Sequence, residues 1–130
     1  MIKLLRQSVI AASVLVALSG CTTRNALIEA GDWYQIGFND GKWGQMALSE
    51  ASLTQRAEQV ADADTPDYSQ YQQGYQVGIN QYCSYEQLEQ FGLEGKMDWG
   101  ACEFRREEGG LYPTYWQQGF ERRMNFEGPK

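Results

Sequence analysis

Five carboxylates stand where paired acids could do chemistry. Asp32 and Asp40 flank a Trp-Tyr-Gln-Ile-Gly-Phe-Asn segment, and Glu103, Glu107 and Glu108 cluster after Cys102. Two carboxylates at a suitable separation cleave a glycosidic bond, one as acid and the other as base or nucleophile. Plainer roles compete for each of them. Asp32 stands where a helix N-cap would, Asp40 reads as charge on a helix surface, and the glutamates form a solvated run beside Arg105 and Arg106. These roles outweigh the catalytic one, so no catalytic residue is assigned. The chain has no histidine, which removes Ser-His-Asp and Cys-His nucleophiles and His-ligated zinc together. Ser-x-x-Lys does not occur, and Lys42 and Lys96 stand among glycines without a serine partner. Gly37-x-x-x-Gly41-x-x-Gly44 lacks the Gly-Lys-Ser/Thr of a phosphate loop. The expectation is a protein with no cofactor, no metal and no enzymatic activity.

The cysteines carry a stronger signal. Lys3 and Arg6 give a basic start, and Ser8 to Leu18 is uncharged and mostly apolar. That run is far short of the roughly 20 residues a spanning helix needs, and it fits the centre of a secretory signal. It ends in Leu18-Ser19-Gly20-Cys21, which resembles the lipobox of bacterial lipoproteins. The resemblance implies cleavage before Cys21 and acylation of that residue. Each buried methylene is worth about 0.8 kcal/mol, so several acyl chains anchor a protein stably. Thr22, where inner-membrane lipoproteins of this kind carry Asp, favours the outer membrane, with the domain facing the periplasm. Cys83 and Cys102 then remain as an even pair in an oxidising compartment, which reads as one disulfide. Two cysteines without histidine make a poor zinc site, and a redox pair would more often be Cys-x-x-Cys.

Beyond the leader some 110 residues remain, enough for one modest core. The whole chain counts 11 Lys and Arg against 17 Asp and Glu, and both leader charges are basic, so the rest is more acidic still. Such a balance repels phosphate backbones and argues against a nucleic-acid partner. All 17 aromatics lie between Trp33 and Phe126, whereas only nine Leu, Ile or Val residues follow Ala30. The core is therefore expected to be built from rings.

A repeat arranges those rings. Tyr34-Gln35-Ile36-Gly37-Phe38, Tyr71-Gln72-Gln73-Gly74-Tyr75 and Trp116-Gln117-Gln118-Gly119-Phe120 share aromatic-Gln-x-Gly-aromatic. Composition alone predicts about 0.2 occurrences of aromatic-x-x-Gly-aromatic in a chain of this length. Four-residue spacing puts both rings of a unit on one helical face. Tyr68, Tyr71, Tyr75, Ile79 and Tyr82 extend one stripe, and Tyr112, Trp116, Phe120 and Met124 make another. A mid-helix glycine costs about 1 kcal/mol relative to alanine. Its recurrence at Gly37, Gly41, Gly74, Gly78 and Gly119 points to close helix packing.

Punctuation places the elements. Asp32 caps a first helix, Ser49 a second from Glu50 to about Ala63, and Thr65-Pro66 opens a third running to about Cys83. Ser84 with Gln87 reads as a capping box for a short turn ending near Gly92. Residues 91–110 are broken by glycines and expected to be irregular, and Pro113 opens the last helix. The expected organisation is a leader over 1–20, a lipidated N-terminus and tether over 21–30, and a helical domain over 31–127. Its class is all-α, with three to four helices and one disulfide-closed irregular loop.

Gly31-Asp32-Trp33-Tyr34-Gln35-Ile36-Gly37-Phe38-Asn39-Asp40-Gly41, Tyr71-x-x-Gly74-Tyr75-x-x-Gly78-x-x-x-Tyr82-Cys83 and Gly100-Ala101-Cys102 resemble a family of small proteobacterial lipoproteins, domain of unknown function 2799. The resemblance covers roughly Gly31 to Phe120 and implies an envelope lipoprotein, with no established activity attached. Many members carry a further cysteine pair around the first helix, and its absence here implies a more loosely held N-terminal half. The functional expectation is a structural or protein-interaction module whose partner is another envelope protein or a second copy of itself. A peptidoglycan- or glycan-binding module is the alternative, and a cell-wall glycan hydrolase a remote one. Most rings are assigned to the core, with Trp43, Trp99 and Trp116 expected at the surface as an interaction site.

Overall fold

The computed structural model describes residues 23–127, which form seven α-helices and one short 3-10 turn. Cys21 and the leader lie outside the described residues. The helices are α1 (Arg24–Ala30), α2 (Trp33–Lys42), α3 (Glu50–Glu58), α4 (Tyr68–Tyr82), α5 (Tyr85–Glu94), α6 (Glu103–Glu108) and α7 (Tyr112–Glu127), with the turn at Gly100–Cys102. The expected all-helical class and the single disulfide, Cys83 to Cys102, are both present. The bridge closes a loop of 19 residues, worth roughly 3 kcal/mol in the chain-entropy account.

The caps follow the sequence. Asp32 accepts from the Gln35 N–H at 3.1 Å, the Ser49 hydroxyl from Ser52 at 3.1 Å and the Ser84 hydroxyl from Gln87 at 3.2 Å. Three boundaries differ. The helix expected to open at Thr65-Pro66, α4, starts after Asp67, whose carboxylate accepts from the Gln70 N–H, so Thr65 and Pro66 belong to the approach. The helix expected to reach Ala63, α3, ends at Glu58, and Asp62 takes a positive φ shortly after it. The turn after Ser84 continues as a full helix to Glu94, because Leu88, Phe91 and Gly92 share one buried face.

The tether is the largest departure. Residues 24–30 form α1, capped by the Thr23 hydroxyl and closed by Gly31 in the left-handed region at φ 68°. Leu27 and Ile28 are buried, each worth about 1.5–3 kcal/mol. They join Trp33, Ile36, Leu53, Ala57 and Tyr71 in a first core cluster. This cluster is mixed aliphatic and aromatic, because α1 supplies branched side chains from the segment expected to be tether. The second cluster, around Ile79, Cys83, Leu88, Phe91, Trp99 and Cys102, carries the expected ring-rich packing with Tyr82, Phe104, Tyr112, Tyr115 and Trp116 against it. Tyr75 touches both clusters.

Two helix pairs organise these cores: α2 with α4, and α5 with α7. Both cross backbone to backbone at glycines. A methyl group built on Gly37 would collide with the Tyr71 carbonyl oxygen and lie 2.9 Å from the Tyr75 nitrogen; one on Gly74 would collide with the Tyr34 carbonyl and lie 2.9 Å from the Phe38 nitrogen. The relation is reciprocal: each glycine meets the residues three before and one after its partner. Gly41 and Gly78 repeat it one turn on, and Gly92 and Gly119 repeat it in the second pair. A carbonyl lying along a glycine Cα–H direction has the arrangement of a weak Cα–H···O bond, worth perhaps 0.5–1 kcal/mol. Gly37, Gly41, Gly74, Gly78 and Gly119 therefore pack as their spacing predicts. Gly92, expected to end a turn, is instead the partner of Gly119.

Candidate functional site

The first pair positions a buried ion pair. Trp33, Ile36, Gly37, Asp40 and Gly41 make up the inward stripe of α2, so Asp40 points into the protein and is only 5% exposed. This corrects the expectation of a surface charge. Arg24, at the start of α1, donates to both carboxylate oxygens of Asp40 at 2.9 Å each. The Tyr71 hydroxyl on α4 donates to the same carboxylate at 2.7 Å. A buried carboxylate is tolerated when charge and hydrogen bonds meet it from several sides, as here. The centre ties α1, α2 and α4 together, which holds the N-terminal half without a second cysteine pair.

Above it, the Trp43, Gly44 and Gln45 N–H groups bond back to α2 carbonyls, and the remaining peptide groups of residues 43–49, which have no partner strand, need other partners. Tyrosines of the α4 stripe provide them. The Tyr75 hydroxyl donates to the Gln45 carbonyl at 2.7 Å, and the Tyr68 hydroxyl donates to the Leu48 carbonyl at 2.8 Å. Tyr71 also accepts from the Leu48 N–H at 3.0 Å. The rings stack in sequence, Tyr68 on Tyr71 and Tyr71 on Tyr75, with centroids 5.9 and 6.3 Å apart. Tyrosine replaces leucine on this stripe because each ring fills the core and its hydroxyl secures the loop.

Burial raises the pKa of Tyr71, and the neighbouring Asp40 carboxylate adds to the shift. Burial raises Tyr75 in the same way. A raised folded-state value means that the native protein keeps protons the unfolded chain has lost. Stability is therefore fully present below the unfolded tyrosine value of about 10 and declines as pH rises above it. Each tyrosine that stays protonated contributes a slope of about 1.4 kcal/mol per pH unit. Alkaline unfolding starting near pH 10 is expected, and Tyr71→Phe should flatten it when followed by circular dichroism. An equal slope in that variant would remove Tyr71 as the cause.

The three tryptophans expected at the surface have different fates. Trp43, at the end of α2, is 72% exposed, as anticipated. Trp99 is buried, which corrects the expectation. The disulfide and the turn at Gly100–Cys102 fold it into the second core, where Glu103 accepts its backbone N–H at 2.9 Å. The Arg106 guanidinium covers the Trp99 ring at 3.9 Å from its centroid. The buried indole Nε1 of Trp99 has no hydrogen-bond partner among the described residues. Trp116 is half-buried, stacked on Phe120 at 5.1 Å, and its Nε1 donates to the Lys96 carbonyl at 2.8 Å. That bond fastens the chain leaving α5, so Trp116 is a clasp rather than free surface.

A partly exposed aromatic group that the sequence reading missed lies on the second pair. Tyr85 at the start of α5 stacks on Tyr115 of α7, with centroids 4.7 Å apart, and meets Tyr112 of the same helix at 4.6 Å with the rings tilted by 35°. Arg105 lies 4.3 Å from the Tyr112 centroid and 4.8 Å from that of Phe104. Tyr85 is 38% exposed, and Leu111 beside the stack 53%. Tyr112 and Tyr115 are half-buried against the second core, so Tyr85 and Leu111 present the accessible part of the group. The signal was present as Tyr112-Pro-Thr-Tyr115, a spacing of three at the start of a helix.

Glu107 is exposed, and the other candidate acids serve local structure. Glu103 also accepts from Arg106 at 2.9 Å, and that bond, helped by the Trp99 N–H, lowers its pKa. A glycosidase acid needs the opposite shift. Glu108 pairs with Arg105 at 2.8 Å. Asp32 caps α2, and the Asp40 oxygens are already engaged by Arg24 and Tyr71. Among the described residues no group of three or more His, Cys, Asp or Glu could hold a metal ion. No helix among them is long and apolar enough to cross a membrane.

The fold and its surface define a small all-helical domain of two glycine-crossed helix pairs, stapled by one disulfide and carrying aromatic groups outward. Residues 32–121 match the family model described as "Protein of unknown function (DUF2799)", and the chain belongs to that family. No curated protein and no solved structure matches it.

Proposed function

We propose that this protein is an outer-membrane lipoprotein, anchored through Cys21 and facing the periplasm, that serves as a non-enzymatic module for binding another envelope protein. The anchor rests on the basic start, the short apolar run and Leu18-Ser19-Gly20-Cys21. The binding role rests on one observation, the Tyr85–Tyr112–Tyr115 stack. Tyrosines combine apolar area with a polar tip and are enriched where proteins meet. Here they are held side by side on two helices whose spacing the Gly92–Gly119 crossing fixes. Such a preformed surface loses little side-chain entropy on binding.

A photo-reactive residue at position 85 or 111, introduced in living cells, tests this reading. The expected result is one discrete crosslinked protein, lost when Tyr115→Ala is combined with the probe while the domain stays folded. Crosslinks to cell-wall glycan alone would replace the protein partner with a glycan. Cys21→Ser is expected to move the protein out of the membrane fraction, and its retention there would remove the anchor.

A further inference from the structure

Thr23, whose hydroxyl caps α1, stands two positions after Cys21. A trans chain covers at most about 3.6 Å per residue, so the Cys21 backbone lies within about 7 Å of Thr23. Because residues 24–30 are helix rather than tether, acylation of Cys21 leaves no spacer. The end of the domain that carries Thr23 and Arg24 must then rest against the lipid.

That end has the surface such a position requires. Trp43 and Arg24 line one hollow of about 170 Å³, together with Leu27, Ile36 and Gln45. Trp43 is 72% exposed, and Met46, next after Gln45, is 69% exposed. Indole rings favour the headgroup level of a bilayer, where an apolar body and a polar N–H are both accommodated. Charge agrees. On a chain with 17 acids, the residues lining the two hollows beside Arg24 include Arg24 and Arg56 but only one acid, Asp40. Both oxygens of Asp40 are already held by Arg24. The one acid lining these hollows is thus paired and presents no free carboxylate to an anionic lipid surface.

We propose that Trp43, with Met46 three residues on in the same loop, seats in the headgroup region of the bilayer that anchors Cys21, so that the domain lies on the lipid in one orientation. This rests on the acylation proposed above. It also assigns Trp43 to the membrane and leaves protein binding to the tyrosine stack of the other helix pair.

The test uses full-length protein extracted from bacterial membranes, with acylation of Cys21 first read by mass spectrometry. The protein is reconstituted in phosphatidylethanolamine–phosphatidylglycerol vesicles whose acyl chains carry bromine near the headgroup. The chain has four tryptophans, so the wild type is expected to lose about one quarter of its emission and Trp43→Phe almost none. Circular dichroism confirms that the variant, altered at an exposed ring, remains folded. Acylated protein in which wild type and Trp43→Phe are quenched equally would overturn this orientation while leaving the anchor in place. Unmodified Cys21 would overturn both.

Discussion

Gly74→Ala is expected to destabilise the domain by roughly 3 kcal/mol or more, although alanine is the better helix former. Intrinsic propensity alone would give the opposite sign, a gain of about 1 kcal/mol. The collision decides. The added methyl would meet the Tyr34 carbonyl and the Phe38 nitrogen, which are backbone atoms locked in α2 and cannot rotate away. Relief requires the two helices to separate, which also strains the Gly37, Gly41 and Gly78 contacts and the Tyr71 bond to Asp40. Against the 5–15 kcal/mol of a typical domain, that is a large fraction of the total. Urea melts of Gly37→Ala, Gly74→Ala and Gly119→Ala measure the effect. Gly31→Ala is the control: the nearest atom to an added methyl is the Trp33 Nε1 at 3.9 Å, an ordinary contact, so only its left-handed conformation at φ 68° opposes the substitution, at about 1–2 kcal/mol. An unchanged or raised midpoint for Gly74→Ala would show that the helices are not packed through this glycine.

The same contact explains what the sequence revealed and what it hid. The α4 stripe of Tyr68, Tyr71, Tyr75 and Ile79 was legible because its 3,4 spacing is a property of side chains, and so was the glycine row beside it. Gly92 was not. The repeat that exposed the other crossings was written in flanking rings, and at Gly92 the equivalent positions are Glu89 and Leu93. The physical requirement is for bare backbone opposite a carbonyl, and it places no demand on the neighbouring side chains. Trp99 was misplaced for a related reason. A tryptophan in a glycine-broken stretch looks exposed until the Cys83–Cys102 bridge folds that stretch inward. The first helix escaped notice because seven residues carry little periodicity, and only Leu27 and Ile28 mark its inner face.

The two helix pairs share one crossing geometry but are reinforced differently. In the second core a covalent staple joins the end of α4 to the turn before α6, with Arg105 donating to the Cys83 and Asn80 carbonyls nearby. Reduction therefore bears first on the half that carries the tyrosine stack. The first pair has a second glycine step and the hydroxyl ladder over residues 43–49. Its cross-link to α1 is ionic. Asp40 was the one clue in the sequence: it falls on the stripe of Trp33, Ile36, Gly37 and Gly41, where a carboxylate needs a buried partner. Arg24 could not be named as that partner while residues 24–30 read as tether.

Asp40→Ala is accordingly expected to cost about 3 kcal/mol, because it strands two groups at once. Arg24 would keep a guanidinium that is largely shielded, with a side chain only 32% exposed and an Nε already lacking a partner among the described residues. Tyr71 would keep a buried hydroxyl with no acceptor in place of the carboxylate. Asp40→Asn separates these losses, since its amide oxygen can still accept from Tyr71 while the charge is gone; its cost should fall between wild type and alanine. The double variant Arg24→Met/Asp40→Leu removes both charges and fills the space, and it should recover much of the loss, as exchanged buried ion pairs often do. Chemical denaturation of the wild type, Arg24→Met, Asp40→Leu and the double variant completes a cycle whose coupling measures the pair. If Asp40→Ala lies within about 1 kcal/mol of wild type, the ion pair behaves as an exposed one and does not hold α1. If the cost is large, the cycle also bears on the proposed seating of Trp43, because the bond that positions Arg24 beside Trp43 is the bond that keeps α1 from acting as a tether.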